Sequence, residues 1–261
     1  MSLDQPTAFV KHQTVTRDAF LGGRLTVSQP SHGFRAGLDS VLLGAAVAEG
    51  RTNLLDLGCG VGTAALVALA HNPALTATFA EQNTDMLDLA RINVADNAFA
   101  DRVQLAAVDV TDKGAERVAA GLAENAFDVV IANPPFFDRN AGTLASDDGR
   151  AGARHMGPDT LDQWVKTAAG CAAGGAEIIF VYPAESLSPL LAAFSQRFGA
   201  ITVLPLTPRP DTAASRVMVR GIKGSRAPLT LLASRALHDV EGRAFQPAFD
   251  AIFRGSARLI W

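Results

Sequence analysis

The 261-residue sequence predicts an α/β protein with a doubly wound, mostly parallel sheet, an antiparallel edge and a small N-terminal hairpin and helix. From residue 53 onward, short apolar runs of strand length alternate with longer segments of helical period. This alternation is typical of βαβ units in a parallel sheet. Two later β-rich runs, 200–206 and 216–222, follow each other without a helix, which predicts antiparallel pairing at the sheet edge.

The predicted elements follow in chain order. The first 50 residues contain a hairpin with strands 15–21 and 23–28, and a helix from Asp39 to Gly50 that Asp39 or Ser40 can cap. Predicted strands of the main sheet cover 54–57, 75–80, 103–108, a run ending at 132, and 176–182. Predicted helices cover 63–71, 83–97, 113–124, 161–173 and 186–198. We therefore divide the chain into an N-terminal segment, 1–50, and a domain, 51–261, with a basic tail.

Composition excludes several classes of protein. A hydrophobic content of 48% and a mean hydropathy of +0.17 predict one large core rather than a disordered chain. Cys59 and Cys171 lie far apart and outside any CxxC pair, so neither a disulfide framework nor a zinc site is predicted. No secretory signal, membrane segment or metal-ligand spacing is found, which favours a cytoplasmic protein without a metal. A monomer is favoured.

Charge is distributed unevenly along the chain. The net charge is −3 and the pI is about 5.9, yet residues 207–261 contain nine basic and four acidic residues. This basic tail is consistent with phosphate contact, and also with a solvated face.

The stretch from Phe127 to Phe137 combines an apolar strand with a polar amide, two prolines and two aromatic residues. The prolines end the strand because neither donates a hydrogen bond to a sheet, and ligands bind at this carboxyl edge in open α/β sheets. There Asn133 offers an amide, Pro134 a free carbonyl and Phe136 a ring. These three groups suit a planar group that carries an NH2, so Asn133, Pro134 and Phe136 are the predicted catalytic residues. The alternative is a plain strand-to-loop turn.

A glycine-rich turn follows the first strand of the main sheet, in the sequence Asp56-Leu57-Gly58-Cys59-Gly60-Val61-Gly62. Glycines there let a ligand approach main-chain N–H groups at the start of a helix. A dinucleotide fingerprint requires its third glycine at position 63, which is Thr in this chain. The spacing therefore suits a cofactor without a pyrophosphate.

Two acidic residues end the next two strands. Glu81 is placed to accept hydrogen bonds from both hydroxyls of a ribose, and Asp109 from an exocyclic adenine amine. The alternatives are an exposed strand-end acid for Glu81 and a helix or turn cap for Asp109.

This order of motifs resembles the class I S-adenosylmethionine-dependent methyltransferases, which have a Rossmann-like fold. The resemblance covers about residues 50–185 and implies S-adenosyl-L-methionine as cofactor. It implies that the glycine loop lies under the methionine part, that Glu81 binds ribose, with Gln82 beside it, and that Asp109 binds adenine. The residues carrying it are Asp56, Gly58, Gly60, Gly62, Glu81, Asp109 and Asn133. Asn133-Pro134-Pro135-Phe136 resembles the motif of amino-group methyltransferases.

A closer resemblance is to the bacterial tRNA1(Val) adenine-N6 methyltransferases. It is carried by residues 34–45, 153–155 and 215–224 together with the Asn-Pro-Pro-Phe-Phe sequence. It implies that the target is the adenosine 3′ of the anticodon in a tRNA. It also implies that the N-terminal segment closes over the cofactor, which makes Arg35, Gly37 and Asp39 candidate cofactor-binding residues.

Other functions remain open at this stage. A protein glutamine amide presents the same planar NH2, and another RNA amino group would also fit. A catalytically idle cofactor-binding subunit is the non-enzymatic alternative. For an RNA substrate, we expect phosphate contacts from Arg216 and Arg220 in the tail, and from the loop with Arg150, Arg154 and His155. Trp164 and Trp261 are interpreted as packing residues.

Overall fold

The computed structural model describes residues 14–33, 35–135 and 158–261. The N-terminal hairpin consists of β1 (Val15–Phe20) and β2 (Leu25–Pro30), joined by a short 3-10 turn. Helix α1 (Leu38–Ala45) follows it. Within the described residues, no helix is long and apolar enough to cross a membrane.

A nine-stranded sheet forms the centre of the described part of the chain. Its parallel part contains β3 (Asn53–Leu57), β4 (Thr76–Glu81), β5 (Val103–Ala107), β6 (Phe127–Ala132) and β7 (Ala172–Pro183). Helices in this region are α2 (Thr63–His71), α3 (Thr84–Asp96), α4 (Gly114–Ala119) and α5 (Pro158–Cys171). The later elements are α6 (Leu187–Ser195), β8 (Phe198–Thr207), β9 (Arg216–Lys223), β10 (Thr230–Leu231), β11 (Arg235–Ala236) and α7 (Pro247–Phe253).

The strand order is β10-β8-β9-β7-β6-β3-β4-β5, with β11 also on β8. β9 is antiparallel to both β7 and β8, as predicted. The sheet does not end at β8, however, because β10 and β11 pair with it in parallel. Apolar side chains on both faces of the sheet form two buried clusters, which explains why the central strands have continuous apolar runs.

Several predicted boundaries were wrong. Strand β2 covers residues 25–30 rather than 23–28, α5 covers 158–171 rather than 161–173, and α6 ends at residue 195 rather than 198. Helix α1 ends at Ala45 rather than Gly50, and α4 ends at Ala119 rather than at residue 124. Gly50 (φ 82°) and Gly121 (φ 106°) lie in the left-handed region and cannot continue a right-handed helix. Strand β7 begins at Ala172, four residues earlier than predicted, because Ala172 pairs with Phe127 of β6 directly after α5 ends.

The hairpin is joined to the main sheet by buried hydrogen bonds. Asn93 of α3 is fully buried, and its Oδ1 accepts from the main-chain N–H of Ser28 at 2.6 Å. Its Nδ2 donates to the main-chain oxygens of Ser28 (2.9 Å) and Val61 (3.0 Å). Leu21 and Leu25 of the hairpin are buried in the same apolar cluster as α1 and α2. The hairpin, α3 and the glycine turn therefore form one packed unit.

The basic tail uses much of its charge inside the protein. Arg220 lies 3.7 Å from Glu177, its guanidinium stacks over the ring of Trp261 at 4.8 Å, and it donates to Thr202. Arg216 donates from Nε to Asp39 at 2.9 Å. These contacts engage part of each guanidinium inside the protein. RNA contact by Arg216 and Arg220 stays a prediction.

Candidate functional site

A cleft opens at the carboxyl edge of the parallel strands, where β3 and β6 end side by side with Leu57 paired to Ala132. The lining residues come from the N-terminal segment, the glycine turn, the start of α2 and the end of β6. They are Ala36, Ser40, Leu43, Asp56, Gly58, Cys59, Val61, Thr63, Ala64 and Asn133.

The glycine turn has a closed side and an open side. Gly58, Gly60 and Gly62 all have positive φ, at 64°, 55° and 86°. A Cβ on Gly58 would lie 2.3 Å from the Trp164 ring, and one on Gly62 would lie 2.5 Å from the Phe79 ring. A Cβ on Gly60 would meet nothing within 4 Å. The turn is therefore supported from behind by two aromatic rings and leaves space at Gly60.

Glu81 connects the second strand to this turn. One carboxylate oxygen accepts from the Gly60 N–H at 2.9 Å, and the other accepts from the Asn83 N–H at 2.8 Å. Burial raises the pKa of Glu81, these main-chain hydrogen bonds oppose the rise, and Asp109 adds to it. Glu81 is thus not an isolated acid at the end of a strand. It holds the glycine turn in place through its hydrogen bond with Gly60, which lies 21 residues away in the sequence.

Asp56 lies beneath the turn and is only 2% exposed. Its carboxylate accepts from the Ala65 N–H at 3.2 Å, in the first turn of α2. Burial raises the pKa of Asp56 to about 8, the Ala65 hydrogen bond opposes this rise, and nearby Glu81 adds to it. Asp56 therefore joins the end of β3 to the start of α2.

The raised pKa of Asp56 predicts that the stability of the protein depends on pH. The folded protein binds a proton on the Asp56 carboxyl more tightly than the unfolded chain does. The stability that this proton contributes is therefore full below about pH 4 and is lost as the pH rises toward 8. We expect unfolding in urea to show that, between pH 5 and pH 8, the parent loses about 1–3 kcal/mol more than Asp56→Asn does. Parallel pH profiles for the two proteins would contradict a protonated Asp56.

Asn133 follows the last residue of β6 and lines the cleft together with residues of the glycine turn. Pro134 is buried and Pro135 is half-buried, so the chain is still packed against the protein directly after β6 ends. Phe136, the third predicted catalytic residue, lies outside the described residues, as do Arg150, Arg154 and His155. The structure therefore brings Asn133 and the glycine turn together.

Eight predicted cofactor-binding residues are absent from the lining of the cleft. Three of them are Gly60 and Gly62 of the glycine turn and Glu81, which accepts a hydrogen bond from that turn. The other five make different contacts. Arg35 donates to Asp18, Thr16 and the Pro30 carbonyl. Gly37 precedes α1, and Asp39 pairs with Arg216.

Gln82 is exposed beside Glu81, at the end of β4. Asp109 accepts from the N–H and hydroxyl of Thr111, which is the turn cap that the sequence offered as its alternative role. Cofactor contacts by Arg35, Gly37, Asp39, Gln82 and Asp109 stay predictions, as do those of the other predicted cofactor-binding residues.

The groups of the cleft fit S-adenosyl-L-methionine. The turn exposes main chain at Gly60, and the Glu81 carboxylate beside it is an acceptor of the kind that ribose hydroxyls require. The sequence pattern did not indicate Thr63 as a binding residue; position 63 was noted only because it lacks the third glycine of a dinucleotide fingerprint. Its hydroxyl is buried, lines the cleft and has no hydrogen-bond partner among the described residues, so it can serve a ligand. Within the same residues, no group of three His, Cys, Asp or Glu side chains could hold a metal ion.

Comparison with known proteins gives consistent results. Residues 37–147 match the family described as the methyltransferase small domain. The chain is 30% identical to the tRNA1(Val) (adenine(37)-N6)-methyltransferase of Haemophilus influenzae, over 70% of this chain and 78% of that protein. It is 27% identical to the enzyme of the same name from Porphyromonas gingivalis, over 77% of this chain and 79% of that protein.

Solved structures show the same fold. A predicted O-methyltransferase from Agrobacterium tumefaciens has a TM-score of 0.72 and 31% identity, covering 85% of this chain and 98% of that chain. The 16S rRNA N2 G1207 methyltransferase of T. thermophilus was solved with AdoMet and guanosine. It has a TM-score of 0.52 and 20% identity, and the match covers 84% of this chain and 53% of that chain. The chain is therefore an S-adenosylmethionine-dependent methyltransferase, and it belongs to the family that contains the tRNA1(Val) (adenine(37)-N6)-methyltransferases.

Proposed function

We propose that this enzyme methylates N6 of an adenine in tRNA, and that the target is the adenosine 3′ of the anticodon in a valine tRNA. The observation that carries the proposal is the position of Asn133, which lines the same cleft as the glycine turn and is followed directly by Pro134. Further support comes from the relatives named above, whose names specify adenine 37 of tRNA1(Val).

The proposed chemistry depends on two acceptors for one amino group. The cofactor, when bound, supplies an electrophilic methyl group on a sulfonium. An amino nitrogen conjugated to a ring is a poor nucleophile because its lone pair is delocalised into the ring. With cofactor and substrate bound, the Asn133 side-chain oxygen and the Pro134 carbonyl would accept its two hydrogens, orient the nitrogen and stabilise the positive charge that develops on it. No covalent bond to the protein is required.

The same two acceptors favour an amine over a hydroxyl. A hydroxyl has one hydrogen, and its activation requires a base, whereas an NH2 group uses both acceptors and loses its proton to water after transfer. We therefore assign N-methylation to this chain, although its relative from Agrobacterium tumefaciens is described as a predicted O-methyltransferase.

The N-terminal segment contributes one wall of the proposed active site. Ala36, Ser40 and Leu43 line the cleft, and Ser40 and Leu43 belong to α1. The ion pair between Asp39 and Arg216 attaches α1 to the first residue of β9. We propose that residues 1–50 close over the cofactor as this wall.

Product analysis tests the proposal. The enzyme is incubated with S-adenosylmethionine and an unmodified valine tRNA transcript, and nucleosides are separated by mass spectrometry. We expect N6-methyladenosine, and none from a transcript with guanosine in place of the target adenosine. Methylglutamine in a release factor offered in parallel, with unmodified RNA, would establish the protein substrate instead. Absence of a methylated product from every substrate would contradict both.

A further inference from the structure

Helix α5 places a tryptophan directly behind the glycine turn. Trp164 is 6% exposed, and its ring occupies the space that a side chain on Gly58 would need. The turn cannot move toward α5 without displacing this ring, because protein interiors are close-packed. The Trp164 ring therefore limits how closely the glycine turn can approach α5.

The same helix holds the loop after β5, which contains the predicted adenine-binding residue Asp109. Thr167 is 1% exposed, and its hydroxyl donates to the main-chain oxygen of Val110 at 2.6 Å. Val110 follows Asp109, whose carboxylate organises the turn after β5. Residues three positions apart lie on the same face of a helix, so Trp164 and Thr167 support two different loops from one surface.

Helix α5 itself is firmly anchored. Val165 and Ala168 are fully buried in the cluster on this face of the sheet. Asp162 accepts two hydrogen bonds from Arg197, at 2.6 and 2.8 Å, which join α5 to the end of α6. Paired hydrogen bonds of this kind fix geometry as well as add attraction. The helix is therefore a rigid support rather than a loose cover.

We propose that Trp164 and Thr167 are positioning residues for cofactor binding, which hold the glycine turn and the loop after β5 at the separation that the cofactor requires. The inference rests on the cofactor site described above. It is independent of whether the methyl acceptor is RNA or protein. Neither side chain needs to touch the cofactor for this role.

The first test removes the Thr167 hydroxyl. Thr167→Val keeps the shape and leaves the Val110 carbonyl without its donor, so we expect S-adenosylhomocysteine to bind about threefold to tenfold more weakly in calorimetry. Thr167→Ser restores the donor and should restore most of the affinity. The matched control is Thr202→Val, which removes a buried hydroxyl from β8, outside the lining of the cleft, and should leave affinity unchanged.

The second test uses Trp164 as a reporter. The sequence contains two tryptophans, so Trp261→Phe leaves Trp164 as the sole indole. We expect its emission to change on titration with S-adenosylhomocysteine, with the same midpoint as calorimetry. Trp164→Phe, which retains Trp261, should show no change.

The outcomes separate this proposal from the cofactor site itself. If parent protein fails to bind S-adenosylhomocysteine, the cofactor site is wrong, and the proposal fails with it. If the parent binds but Thr167→Val binds equally well, or Trp164 emission stays constant at saturation, α5 is only part of the core. Loss of affinity in Thr202→Val as well would show a general effect of stability, which also overturns the proposal.

Discussion

Asn133→Ala should lower turnover by about 10²- to 10³-fold, because removal of one preorganised group that stabilises developing charge commonly costs that much. Because the Asn133 amide is proposed to contact the target amine and only to border the cofactor, its loss should leave the affinity for S-adenosylhomocysteine within about threefold of the parent. Single-turnover rates with saturating tRNA measure the first quantity, and calorimetry measures the second.

Asn133→Asp is the matched control for this result. Its carboxylate has the size of the amide and still offers an acceptor oxygen, so it should retain more activity than the Ala variant. If Asn133→Ala turns over as fast as the parent, the Asn-Pro-Pro sequence has no catalytic role and is only a strand-to-loop turn. A large loss of cofactor affinity in the same variant would instead place Asn133 in cofactor binding.

Glu81→Ala should weaken S-adenosylhomocysteine binding by about 10- to 100-fold, which corresponds to about 1–3 kcal/mol for lost charge-assisted hydrogen bonds. Two effects combine. The acceptor proposed for the ribose hydroxyls disappears, and the N–H groups of Gly60 and Asn83 lose the carboxylate that holds the turn. Calorimetry in the presence of a chelator measures the effect and shows whether binding needs a metal.

Glu81→Gln distinguishes the two effects, because the amide oxygen can still accept from one N–H group but carries no charge. We expect an intermediate affinity. Glu124→Ala, which removes an exposed carboxylate, is the control for nonspecific charge effects. Unchanged binding in Glu81→Ala would mean that the carboxylate serves only the fold.

Much of the fold could be predicted because its signals are local. The predicted helix 63–71 is observed at the same residues, and the strands ending near Leu57, Glu81 and Ala132 lie in one parallel sheet as expected. Apolar runs and helical periodicity report which faces are buried, and prolines or glycines report where strands end. Since parallel strands end at one edge, the neighbourhood of Asn133 and the glycine turn also followed from the sequence.

Tertiary structure alone decided which partner each side chain meets. The sequence pattern predicts that Glu81 lies at the end of a strand, but only the folded structure shows that its carboxylate accepts from the Gly60 N–H. Arg220 looked available for RNA, yet Glu177 and Trp261 engage it, and a core residue, Trp164, supports Gly58. Local pattern specifies that a residue is buried or charged. The identity of its neighbour depends on strand order and register, through contacts between residues distant in sequence, so it cannot be read from periodicity.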